Sequence, residues 1–139
     1  MVRYLVVGIT SGVLFGIMDG VINANPLAVE LFRVYAPIAR NTINVPAGVL
    51  IDLVYGLAMA GVFIMLYRSL PGKTGPVKGL AYACLLWFFR VVMHAISQWM
   101  IVPLSAAAVL YLMVSGLLEM DVLGLFYGFA LRPVGANDR

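Results

Sequence analysis

Trp87-Phe88-Phe89-Arg90-Val91-Val92-Met93-His94-Ala95-Ile96-Ser97-Gln98-Trp99 is the centre of an apolar run that extends from Lys78 to Pro103. The run is long enough to cross a bilayer, for which a helix needs about 20 residues. It nevertheless carries Arg90, His94 and Gln98 at steps of four, which on a helix places all three on one face. An arginine near the middle of a membrane helix is costly unless it faces protein or water and finds a partner. What Arg90 faces is therefore the question the other helices must answer.

Composition sets the class. The chain has 139 residues, 63% of them hydrophobic and only 11% charged, against about 25% charged in a soluble domain. A core of this size cannot enclose so much apolar surface. The composition points to an all-α integral membrane protein. The net charge of +3 comes from dispersed basic residues with no Arg/Lys run, which excludes a nucleic-acid binder. Cys84 is the single cysteine and lies inside an apolar segment, so neither an intrachain disulfide nor a CxxC metal motif is available. It reads as a small packing residue.

Four apolar segments predict one transmembrane domain over residues 1–139, a four-helix bundle with spans at about 4–23, 46–66, 79–102 and 106–131. Arg3 followed by an apolar run resembles a secretory signal. However, Asp19-Gly20 interrupts the run and Ile22-Asn23-Ala24 is a poor cleavage site, so the segment reads as a retained helix. Gly8, Gly12, Gly16 and Gly20 recur along it at every fourth place, and Gly48, Asp52, Gly56 and Ala60 repeat the pattern in the second span. Such small-residue faces let helix backbones approach closely in lipid. Asp19, Asn23 and Asp52 fall on these same faces.

Between the first two spans, Asn25 is a good N-cap and Pro26 a good first helical residue. A short interfacial amphipathic helix is expected over about 26–39, with Glu30, Arg33, Pro37 and Arg40 on one side and Leu27, Leu31, Phe32, Tyr35 and Ile38 on the other. Gly72-Lys73-Thr74, in the tight basic connector after the second span, resembles the end of a phosphate loop. It lacks that motif's first glycine and preceding strand, and reads as a plain connector. Pro103 ends the third span and Arg132-Pro133 the fourth. The fourth carries Ser115 and Glu119 on one face, with Asp121 about 160° away from Glu119.

Four spans put both termini on one side, together with Arg3, Arg68, Lys73, Lys78, Arg132 and Arg139; Arg33 and Arg40, offset by Glu30, lie opposite. The positive-inside rule then makes this a multi-pass cell-membrane (inner-membrane) protein with both termini in the cytoplasm. With about 1.5 Å of rise per residue, Arg90 and Glu119 come to similar depth near the midplane, while Asp19, Asp52, His94 and Gln98 lie further out. A bidentate Arg90–Glu119 pair is expected as the floor of a polar cavity open to the outer side.

The candidate binding or gating residues are thus Asp19, Asn23, Asp52, Arg90, His94, Gln98, Ser115 and Glu119, with His94, Asp19 and Asp52 the candidates for a metal. Three classes compete. A transporter or channel for a proton, small cation or small solute follows from the polar stack. A non-catalytic accessory subunit follows from glycine faces that exceed the needs of one bundle, and would make partners of further membrane subunits or copies of the chain as well as lipid. A metal-dependent membrane enzyme is the least favoured: there is one histidine, no H-E-x-x-H, no Ser-His-Asp pattern, no catalytic residue to name and no cofactor implied.

Overall fold

A computed structural model of the chain describes residues 1–40 and 42–131. The expectations that rest on residues 132–139, the Arg132-Pro133 stop and the charges of Arg132 and Arg139, lie outside the described residues. The described chain is helical: α1 (Val2–Ala24), α2 (Pro26–Leu31), α3 (Val45–Leu66), α4 (Gly75–Ile101) and α5 (Ala106–Ala130). All but α2 are long and apolar enough to cross a membrane, which makes four such helices.

Local chemistry sets several helix ends. The side-chain oxygens of Asn25, Asn44 and Ser105 accept the backbone N–H of Ala28, Ala47 and Ala108 at 3.0, 3.2 and 3.1 Å, which caps α2, α3 and α5. Proline occupies the first turn of α2, α3 and α4, where its missing N–H has no helical acceptor to serve. The expected 26–39 helix is not continuous. Helical pairing stops at Leu31 and a 3-10 turn takes Arg33–Tyr35. Phe32 packs on Tyr111 and Tyr35 bonds Gln98, and one further turn closes where the Ile38 and Ala39 N–H groups donate to the Tyr35 carbonyl at 3.0 and 2.9 Å.

The helices associate as two close pairs, α1 with α3 and α4 with α5, joined mainly where α1 meets α5. Glycine makes each pair possible. A Cβ on Gly56 would lie 2.6 Å from the Cα of Gly12 and against the backbone of Gly8, and one on Gly124 would strike the Gly79 carbonyl. The small-residue faces are thus used inside the chain. Of the glycines in the repeats, only Gly20 and Gly48 have open space around them.

The bundle has two distinct ends. At the end carrying residues 67–74, Phe63, Tyr82 and Tyr127 are fully buried, with ring centroids 5.3 Å apart for Phe63–Tyr82 and 5.8 Å for Phe63–Tyr127. The Tyr82 hydroxyl donates to the Met59 carbonyl at 2.9 Å. Along the whole bundle the outward faces are apolar: Ile9, Val13, Ile17 and Val21 of α1 and Val54 and Met65 of α3 are all exposed. Water would not tolerate such a continuous apolar jacket, and lipid would.

Candidate functional site

Arg90 sits near the centre of α4, inside a wide π-helical turn formed by Trp87–Val92. The turn is closed by the Met93 N–H, which reaches back to the Phe88 carbonyl, one residue further than an α-helical bond. Packing against α5 pins it. The Trp87 indole N–H donates to the Met113 carbonyl at 2.8 Å, and the Val91 methyls fill the space that a side chain at Gly116 would need. Tertiary contact therefore holds the backbone of Arg90 in a geometry that an isolated helix would abandon.

The Arg90 guanidinium rests over two aromatic rings from the other helix pair, with its Cζ 4.5 Å from the Phe15 centroid and 5.6 Å from that of Tyr55. Phe15 and Tyr55 are 6.0 Å apart and tilted. Cation–π contact of this kind is worth about 0.5–2 kcal/mol, more when water is excluded. From α5, Glu119 offers its Oε2 to one guanidinium nitrogen at 3.4 Å. The expected bidentate fork does not form, because resting on the rings fixes the guanidinium plane and leaves a single long contact. The Glu119 side chain is only 6% exposed, and its Oε1 has no hydrogen-bond partner. Arg90 keeps 34% of its side chain exposed, toward a cavity.

That cavity has a volume of about 450 Å³ and is lined by Asp19, Asn23, Arg90, His94, Ser115 and Glu119 together with Ile22, Tyr55, Val91, Leu112 and Gly116. Asn23 donates to the Asp19 carboxylate at 2.9 Å, and Ser115 donates to its own helix at the Tyr111 carbonyl, 2.6 Å away. A second chamber of about 560 Å³ lies beneath α2 and the 3-10 turn and shares Asn23, His94 and Leu112 with the first. Gln98 belongs to this outer chamber, where its Oε1 accepts the Tyr35 hydroxyl at 2.9 Å.

Asp52 does not join, and the expected metal trio does not form. Asp52, expected beside His94, lies in a separate groove of about 230 Å³ with Gly12, Gly16 and Val49, because the close α1–α3 approach turns it along the pair's outer side. His94, Asp19 and Asp52 do not converge on a metal: among the described residues no group of three His, Cys, Asp or Glu side chains could hold one.

Four contributors were not marked by spacing. Phe15 and Tyr55 support the guanidinium, Tyr35 bonds Gln98, and Tyr111 donates to the Ile22 carbonyl at 2.6 Å while accepting Asn25 at 2.6 Å. The available signal was positional. Phe15 adjoins Gly16 and Tyr55 adjoins Gly56, so each aromatic ring stands beside a residue of a close helix crossing.

Comparison with models of protein families, with curated proteins and with solved structures finds no match to this chain.

Proposed function

We propose that this protein is a small membrane transporter or channel that takes a proton, small cation or small solute into the Arg90–Glu119 cavity. The observation that carries this reading is the almost fully buried Glu119 beside Arg90, at the floor of a cavity within helices of membrane length. Ionisable groups in such a setting serve function by default, because their burial costs stability. The cavity holds two acids, Asp19 and Glu119, against one fixed cation, Arg90, with the His94 imidazole on the same wall. That balance favours a proton or a cationic group over a simple anion.

Direction follows from charge. Arg3, Arg68, Lys73 and Lys78 belong to the end with the aromatic core, and Arg33, Arg40 and Glu30 to the α2 end. The positive-inside rule puts the aromatic end in the cytoplasm and opens both chambers outward, in a cell membrane. Phe63, Tyr82 and Tyr127 close the route inward, which favours a transporter that must rearrange over a standing pore.

Purified chain in proteoliposomes under a pH or cation gradient should give a flux above empty vesicles that Glu119→Gln reduces at least tenfold. A folded chain with no flux under any gradient would refute the reading. A second reading, an accessory subunit, draws support from Asp52, whose carboxylate occupies a groove otherwise lined by Gly12, Val13, Gly16, Ile17, Val49 and Leu53. A partner chain could supply the missing polar contact. Co-purification of a stoichiometric membrane partner that Asp52→Leu releases would support it, and a monodisperse lone chain would remove it.

A further inference from the structure

The sharpest unsatisfied chemistry in the described chain is at the cavity floor. Glu119 is buried, one of its oxygens meets Arg90 at 3.4 Å, and the other has no partner. A buried acceptor left unpaired destabilises the fold, more so when it is charged. Arg90 is equally under-used. A guanidinium has five N–H donors in a planar fork, and here the long contact to Glu119 is its only hydrogen bond among the described residues. Phe15 and Tyr55 cover part of the group without using those donors.

We propose that the cavity binds a small zwitterion, its carboxylate on the Arg90 guanidinium edge and its ammonium on Glu119. This names a substrate class for the transport reading and rests on that reading only for its consequence, since binding can be measured without flux. An ammonium in the cavity meets the Glu119 carboxylate, whose Oε1 is buried without a partner and can turn to accept it, and a carboxylate accepts from the free guanidinium fork, which matches it in shape as well as charge. Neither charge alone serves as well: a lone carboxylate would meet Glu119, and a lone ammonium would meet Arg90. Because Arg90 and Glu119 touch, the ligand's two charged groups must be only a few bonds apart, as in short amino acids. A cavity of about 450 Å³ accommodates such a molecule. Asp19, bonded by Asn23, lines the same cavity and adds a second negative charge to it, which draws the ammonium end in.

The test is calorimetric titration of the full chain in nanodiscs with glycine, β-alanine and γ-aminobutyrate, alongside acetate and methylammonium. At least one zwitterion should bind saturably, with both single-charge analogues at least tenfold weaker. Glu119→Gln and Arg90→Lys should each weaken that binding at least tenfold, and Asp121→Asn, outside the cavity, should not. Should the cavity variants fail to fold, the comparison of zwitterion with single-charge analogues on the unaltered chain decides by itself. The proposal is overturned if no zwitterion binds, if methylammonium or acetate binds as well, or if folded Glu119→Gln keeps full affinity. A zwitterion that binds without flux would remove the transport reading and leave this one. Proton or alkali-cation flux without zwitterion binding would do the reverse.

Discussion

Gly56→Ala tests the helix pairing on which the site depends, with Gly48→Ala on the same helix as its control. The added methyl at Gly56 would sit 2.6 Å from the Gly12 Cα and against the Gly8 backbone, whereas at Gly48 it would meet nothing within 4 Å. At Gly56 every obstructing atom is backbone, so no side chain can rotate away and α1 must separate from α3. Overpacking costs about 1–3 kcal/mol, and the rigid obstruction places this case near 3. Alanine returns up to about 1 kcal/mol through helix propensity, leaving a net loss of about 2. Gly48→Ala has only the gain, about 0.5–1 kcal/mol. The two variants should differ by about 3 kcal/mol, roughly a hundredfold in the unfolding equilibrium constant. Titration with a denaturing detergent, followed by helical circular dichroism, reads the difference. Phe15 and Tyr55 face each other across the same crossing, so Gly56→Ala should also loosen their support of Arg90. Equal stability of the two variants would refute the reasoning, because it would mean that α1 and α3 do not meet at Gly12 and Gly56.

Tyr35→Phe removes the 2.9 Å bond to Gln98, and hydrogen exchange in residues 26–40 should speed up while exchange in α5 stays unchanged. Tyr82→Phe loses the donation to the Met59 carbonyl without changing shape, and should cost about 0.5–1.5 kcal/mol in the same detergent titration. Arg3→Ala gives up the exposed contact of its Nε with the Ala130 carbonyl at 2.6 Å, and should change stability by less than about 1 kcal/mol.

Much of this arrangement was open to a reading of residues alone, for a physical reason. Membrane spans are written as uninterrupted apolar length, and a residue such as Arg90 or Glu119 inside one stands out because lipid offers it nothing. Spacing by four also identified the close-approach faces, but not what they approach. Gly12 and Gly56 find each other within the chain, as do Gly79 and Gly124, and a repeat of small residues looks the same whether its partner is internal or foreign. Asp52 was misplaced for a related cause. Depth along a helix follows from counting, whereas its facing depends on how α1 and α3 cross. The segment after Asn25 failed as a continuous helix because Phe32 and Tyr35 gain more by docking on α5 and α4 than by extending an exposed turn, contacts that no local pattern announces.

The wide turn at Trp87–Val92 has the same origin, and it permits a decisive perturbation. A bond reaching five residues back encloses one residue more than an α-helical bond, so removing one residue should let α4 close into a regular helix. Phe89 is the residue to delete, since it is 66% exposed and its loss empties no core position. The half of α4 nearer Gly75 remains anchored by Gly79 and Tyr82 on α5 and α3, and the half nearer Ile101 by Gln98 on Tyr35. If the turn exists to aim Arg90, the deleted chain should keep its helicity and its monodispersity in detergent yet lose ligand binding or flux by tenfold or more. If the turn only relieves packing of Trp87 and Val91 against α5, the deletion should instead lower stability and leave the function of the folded fraction intact. The second result would detach Arg90's backbone geometry from the site's purpose; the first would make the extra residue part of the binding machinery.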